Sequence, residues 1–489
     1  MNDFLKLSAF ELAAKIKSRE ITPSELLDLY IARIELVNGP LNAMVENDFV
    51  RARVLASEQT AQVAKNNSNL PPLFGVPFTI KEMLAVTGMK RTGGSIHHRH
   101  DVMDFDATIV KRIKEAGAIP LGTTNVPELG FWFETFNPVY GRTNNPYDLD
   151  RTCGGSSGGE AALLGAGASP FGLGSDIGGS LRMPAFFCGV YAHKPSANIL
   201  PLTGHFPFMN EDFKRLVDDK VPYTALGPMA RKATDLYPLI KLMMGPDGID
   251  TNTTQTTLKP LDQNWSNKKI VICPSPAFHG TRSIDAELVQ QVKNCGTLFT
   301  ELGAEVVELD ARFFVHAKDL WFSALKSVKS KNLFEMLFHD SPTSLGVEFF
   351  KTIFGKGNYT LPNLIVSVAE KAELKFKKTT DFSEDMKKLE QMKMELAEIL
   401  GDNGILILPP HSRVAPKHRA PMWSPFDFIS TGIFTTLGMP ATVIPTGLND
   451  KGLPLGVQVV ARKGNDHLTL SCAEFLEQTF GGWVPPQIF

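Results

Sequence analysis

Two serines set in glycine-rich stretches are the residues of this chain best placed to do chemistry. Ser156 lies in Gly-Gly-Ser-Ser-Gly-Gly at 154–159, and Ser180 closes Asp-Ile-Gly-Gly-Ser at 176–180, 24 positions further on. Either hydroxyl is a candidate nucleophile. Glycines on both sides let backbone N–H groups crowd one point without Cβ interference, which suits an oxyanion hole or an anion cradle.

The spacing excludes two nucleotide readings. No G-x-x-x-x-G-K-[ST] run is present, and the nearest G-x-G-x-x-G match, starting at Gly172, has Ile177 where the third glycine belongs. The segment 154–158 does match the G-x-S-x-G nucleophile elbow. An elbow needs an apolar strand feeding its serine, whereas 148–153 is short and polar, and His411, His418 and His467 carry no local signature of a triad histidine.

A third residue fits better. Lys81 stands in the apolar frame Val76-Pro77-Phe78-Thr79-Ile80-Lys81-Glu82-Met83, 75 positions before Ser156. With these motifs the chain resembles the amidase signature family, in which a lysine, a serine in a GGSSGG loop and a second serine in a DIGGS loop form the catalytic group. Lys81, Ser156 and Ser180 match it residue by residue. The likeness runs from the N-terminal helices to 452–458, and the segments 140–147, 182–187, 415–418 and 480–484 look most like its fatty-acid amide hydrolase 2 branch.

The resemblance implies an α/β amidase signature fold, with a central mixed β-sheet covered on both faces by helices. It implies a serine hydrolase cleaving carboxylic amides, fatty-acid or other hydrophobic N-acyl amides first among them. Ser180 would attack and pass its proton through Ser156 to a neutral Lys81, whose pKa desolvation draws down. The N–H groups of Ile177, Gly178, Gly179 and Ser180 would hold the oxyanion, while Asp176 and Arg182 would brace the loop as an ion pair. The resemblance also implies a cis Gly155–Ser156 peptide and substrate contacts around Gly130, where a bulkier residue often stands in the family; Phe131, Trp132 and Phe133 beside it read equally as pocket walls or as ordinary core aromatics. Two alternatives stay open: an amidase-like subunit of a transfer-RNA amidotransferase, and an amidase or urethanase acting on small aryl or carbamate substrates.

The elements that must position these residues read as α/β. Ser8-x-x-Glu11 and Thr22-x-x-Glu25 are capping boxes, the second with Pro23 at the first helical position. Apolar runs at 118–122, 270–273 and 405–408 alternate with helical stretches, as buried strands do. We expect one amidase domain over 1–489, because Lys81, Ser156 and Ser180 must converge and no linker separates them. Residues 315–385, rich in Phe, Leu and Lys, are expected to form a helical insertion or cap, packing its aromatics on the core or shaping an acyl channel.

Composition agrees with an ordinary globular enzyme: 489 residues, 43% hydrophobic, with a formal net charge of −2. The neutral balance gives no footprint for nucleic acid. Five scattered cysteines imply neither a disulfide framework nor a zinc site, and the cluster His97-His98-Arg99-His100 reads as a solvated loop. The mechanism calls for no metal and no cofactor. The start, Met1 to Lys6, reads as neither signal peptide nor spanning helix, so a cytoplasmic, soluble protein is expected. Its expected partner is a small hydrophobic amide; peripheral membrane contact through the basic run 375–378 and homodimerisation are left open.

Overall fold

The computed structural model describes residues 2–65, 69–207, 223–327, 333–338, 344–354, 356–376 and 382–489. Eleven strands among them form one sheet: β1 (Met44–Asn47), β2 (Pro77–Lys81), β3 (Ile119–Thr124), β4 (Phe171–Asp176), β5 (Tyr191–Lys194), β6 (Ala225–Ala230), β7 (Lys269–Ile272), β8 (Glu305–Glu308), β9 (Ile405–Leu408), β10 (Ala441–Leu448) and β11 (Pro454–Ala461). Their spatial order is β1-β3-β2-β4-β6-β5-β10-β11-β9-β7-β8. The β3-β2-β4 and β9-β7-β8 segments are parallel and the other pairings antiparallel. This is the mixed α/β sheet flanked by helices that the resemblance implied.

The side-chain period of two explains why both faces are covered. Ile270, Ile405, Ile407, Val457 and Val459 enter one buried cluster, whereas their neighbours Val271, Leu406, Leu408 and Val460 enter another. Uninterrupted apolar strands therefore have helices on either side. Both capping boxes form: the Ser8 and Thr22 side chains accept from the Glu11 and Glu25 N–H groups, opening helices Ala9–Lys17 and Pro23–Leu41.

The stretch read as an insertion is helical where described, with helices Ala317–Ser327, Leu333–Phe338, Leu345–Ile353 and Leu361–Phe376. Its parts join different clusters. Leu320, Trp321 and Ala324 pack beneath the sheet with Phe428 and Phe434, while Leu333, Leu337, Phe338, Tyr359 and Leu364 gather with Met83, Val126, Leu129 and Phe206. The side chains of the basic run 375–378 lie outside the described residues, as does that of Phe334. No described helix is long and apolar enough to cross a membrane.

Candidate active site

Parallel pairing of β2 with β4 brings the lysine to the serine loops. Thr79 and Ile80 lie beside Gly172 and Leu173, and from the end of β2 the Lys81 side chain reaches Ser175 near the end of β4. Beyond β4 the chain turns through 177–180 into helix Arg182–Phe187. The other serine loop, 154–157, leads into helix Gly158–Gly165, and the Ser157 N–H donates to the Ser180 carbonyl at 3.0 Å. The Gly155–Ser156 peptide is cis.

Lys81 is fully buried. Its Nζ lies 2.7 Å from Ser156 Oγ, 2.9 Å from Ser175 Oγ and 3.4 Å from the Ser175 carbonyl. Burial draws its pKa down to about 7, against the upward pull of Asp176 and Glu160. Desolvation wins because neither carboxylate is a strong counter-ion. Burial pushes Glu160 up to about 8, even though the Thr79 and Thr124 hydroxyls donate to it, so it is largely uncharged at neutral pH. Asp176 is ionised but already paired.

That pairing builds the loop that carries Ser180. Asp176 and Arg182 are both fully buried, with Arg182 Nη2 2.8 Å from Asp176 Oδ1 and Nε 3.0 Å from Oδ2. Burial would raise the Asp176 pKa; the charge and hydrogen bonds of Arg182, helped by Lys194 and the Leu181 N–H, hold it at about 2 instead. Arg182 also donates to Thr435 Oγ1 at 2.9 Å and Gln458 Oε1 at 2.7 Å. Removing one partner leaves a buried charge alone, so Arg182→Ala is expected to lower unfolding free energy by about 3–5 kcal/mol in denaturant titration.

Asp176 Oδ1 further accepts the Gly179 N–H at 2.8 Å, and its other oxygen the Leu181 N–H at 3.1 Å. The Gly179 donor is thus committed to the loop, whereas the N–H groups of Ile177, Gly178 and Ser180 donate to no described residue. Gly179 has φ +113°, and a Cβ there would collide with the Thr431 hydroxyl. Ser180 is half-buried, and its hydroxyl is in no hydrogen bond among the described residues. The contact between Lys81 and Ser156 is therefore in place, while a hydrogen bond from Ser180 to Ser156 is not.

Gly130 stands beside Ser156. Its φ is +73°, and a Cβ built on it would sit 3.7 Å from Ser156 Oγ and 2.9 Å from Met83 Sδ. The adjoining aromatics diverge: Phe131 joins the Leu333–Tyr359 cluster, while Phe133 stacks on Phe428 at 4.4 Å. Trp321 meets the same Phe428 edge-on at 4.8 Å, and both border Gly178. Apolar walls thus approach both Gly130 and the loop preceding Ser180. A small cavity lined by Phe133, Met183, Phe187 and Phe428, and a charged surface cleft of about 640 Å³ bordered by Arg151, Glu287 and Lys451, contain none of Lys81, Ser156 or Ser180.

The elbow alternative lacks its scaffold. The strand before Ser156, Asp148–Thr152, pairs with Asn144–Asn145 in a separate small sheet and bridges Lys417 through Arg151, outside the eleven-stranded sheet, and the side chain bonded to Ser156 Oγ is a lysine. In the histidine cluster, His97 bonds the Tyr359 hydroxyl and His98 bonds Asp101. No group of three or more His, Cys, Asp or Glu among the described residues is arranged to hold a metal.

Motif reading missed three residues around Lys81: Glu160, Ser175 and His205, whose Nε2 is 2.8 Å from Ser175 Oγ. Ser175 had one signal, its place just before Asp176. His205 had none.

The Amidase family model matches residues 25–470. Fatty-acid amide hydrolase 2-B of Danio rerio is 39% identical over 100% of this chain and 92% of its own. Fatty-acid amide hydrolase 2 of Homo sapiens is 38% identical over 99% and 91%. Among solved structures, 6-aminohexanoate cyclic dimer hydrolase complexed with substrate superposes with a TM-score of 0.81 at 25% identity, covering 99% of both chains.

Proposed function

Because the chain belongs to the amidase family and is an amide-bond hydrolase, we propose that it cleaves fatty-acid or other hydrophobic N-acyl amides through a Ser-Ser-Lys triad. Ser180 attacks the carbonyl carbon and gives its proton to Ser156, which gives its own to neutral Lys81. The relay then runs backwards to protonate the departing amine, and water, deprotonated by the same route, releases the acyl group from Ser180. The N–H groups of Ile177, Gly178 and Ser180 receive the oxyanion, and Gly179, tied to Asp176, keeps the loop in shape.

The observation that carries this reading is the fully buried Lys81 Nζ, 2.7 Å from Ser156 Oγ with a pKa of about 7. In water a lysine is an acid at neutral pH; here burial makes it a base. Its partner Ser156 and the loop of Ser180 are joined through the Ser157 N–H, which donates to the Ser180 carbonyl at 3.0 Å.

The hydrophobic substrate is supported by the apolar clusters bordering Gly130 and Gly178, and by the two relatives named for fatty-acid amides. Val347, Phe350, Ile353 and Phe354, 48–65% exposed, support peripheral contact with a membrane surface, where such substrates reside. Catalytic efficiency is expected to rise from acetyl to dodecanoyl amides of one amine, by up to about fourfold per methylene at roughly 0.8 kcal/mol each. Equal cleavage across that series would remove the acyl channel and leave amide hydrolysis standing. Ammonia release from glutamine, with no turnover of acyl amides, would favour the amidotransferase-subunit reading instead.

A further inference from the structure

His205 belongs to none of the motifs that marked the site, yet it completes the surroundings of Lys81. The chain leaving β2 pairs with a strap at 204–206. The Ala85 N–H donates to the Gly204 carbonyl at 2.9 Å, the Phe206 N–H donates to that of Met83 at 2.7 Å, and Leu84 and His205 form an antiparallel bridge. Arg91 fastens the strap from outside by donating to the Gly204 carbonyl at 2.9 Å. His205, 2% exposed, is thereby held with Nε2 2.8 Å from Ser175 Oγ, and the same oxygen lies 2.9 Å from Lys81 Nζ.

Ser175 has one hydroxyl proton and two neighbours to which it can be given. Directed at Lys81, it occupies the lone pair that must take the proton of Ser156. Directed at His205, it leaves Ser175 as an acceptor for a lysine N–H, and the lone pair stays available. Only the second arrangement serves both states of the base. Once Lys81 is protonated, its three N–H groups find three acceptors: Ser156 Oγ, Ser175 Oγ and the Ser175 carbonyl, at 2.7, 2.9 and 3.4 Å.

Resting on the reading of Lys81 as the base, we propose that His205 is a positioning residue: by accepting the Ser175 hydroxyl proton at Nε2, it fixes Ser175 as an acceptor and aims the Lys81 lone pair at Ser156. The role requires a neutral imidazole, since an imidazolium would donate to Ser175 and turn its proton toward the lysine. Burial first, and then the positive charges of Lys81 and Arg91, hold His205 well below the ordinary histidine range, with the adjacent Phe206 backbone pulling the other way. The carboxylates acting on Lys81 are Asp176 and Glu160.

The test compares His205→Phe, His205→Gln, Ser175→Ala and the His205→Phe/Ser175→Ala double variant by kcat/KM against pH and by thermal midpoint. His205→Phe and Ser175→Ala are each expected to lose about 10- to 100-fold in kcat/KM, the scale for removing a group that orients a functional side chain. Their rising pH limb should move to lower pH, because protonated Lys81 loses an acceptor. His205→Gln, whose side-chain carbonyl can take the same proton, should restore most of the rate and the original limb. The double variant should be no worse than either single one, as two members of one chain of contacts require.

Unmoved limbs with a loss confined to thermal stability, or additive losses in the double variant, would overturn the role. Should His205→Phe fail to fold, Ser175→Ala carries the comparison, and nitrogen-15 spectra of histidine-labelled enzyme decide it. An unprotonated Nε2, assigned by its disappearance in His205→Gln, supports the proposal; a protonated one sinks it. Near-normal turnover by Lys81→Ala would instead remove the base itself. An inactive Lys81→Ala beside a wild-type-like His205→Phe removes only the part given to His205.

Discussion

Replacing Ser180 with alanine is expected to lower kcat for an acyl amide by about 10⁶-fold, the scale on which a serine hydrolase loses its nucleophile. It should also abolish labelling by a fluorophosphonate, read by intact-mass spectrometry. The variant loses the attacking oxygen alone: the loop's N–H groups at Ile177 and Gly178, which donate to no described residue, stay in place, so the loss reads the nucleophile and not the oxyanion site. Ser156→Ala keeps that loop and removes only the proton path, costing about 10²- to 10⁴-fold. An adduct mapped to Ser156 rather than Ser180 would reverse the two roles and return the elbow reading.

Lys81→Ala is expected to cost a comparable or larger factor than Ser156→Ala, since among the described residues Lys81 is the side chain hydrogen-bonded to Ser156 Oγ that can take its proton. Wild-type kcat/KM should rise with pH along one limb and level off above about 7, the value to which burial draws Lys81. The sign follows from the state required: the base works unprotonated, so activity belongs to the alkaline side of its pKa. Lys81→Arg should not rescue, because guanidinium stays charged at every working pH. Near-normal amide turnover by Lys81→Ala, or a rate that falls as pH rises through 7, would refute the assignment.

Some of this was legible in the chain and some was not, for physical reasons. Buried strands betray themselves by uninterrupted apolar residues, and 405–408, expected as a strand, is β9 with all four residues fully buried. Capping boxes are equally local, and both form at Ser8 and Thr22. The order of strands is not local. β2 and β4 lie side by side although Ile80 and Leu173 are far apart in sequence, and only that pairing puts Ser175 against Lys81. His205 is harder still, since it reaches Ser175, beside Lys81, through a strap bridged to Leu84, and nothing in its neighbours' types announces the pairing. The aromatics of 315–385 divide in a way composition does not distinguish: Trp321 packs on Phe428, whereas Phe350 is 65% exposed. Periodicity marks a helix without naming what lies opposite.

The latch on Asp176 has a consequence for the order of events during synthesis. Arg182 reaches Thr435 and Gln458, which emerge from the ribosome 253 and 276 residues after it. A nascent chain therefore carries Lys81, Ser156 and Ser180 long before the residues that hold Arg182 against Asp176 exist. Contacts of such sequence separation are the last whose closure is rewarded in folding. The loop bearing Ser180 is local in sequence but global in its support, so its reactivity toward a covalent probe during refolding clocks the arrival of β11 and not the formation of the turn itself. Hydrolytic competence is therefore expected to follow the carboxyl-terminal strands into the sheet.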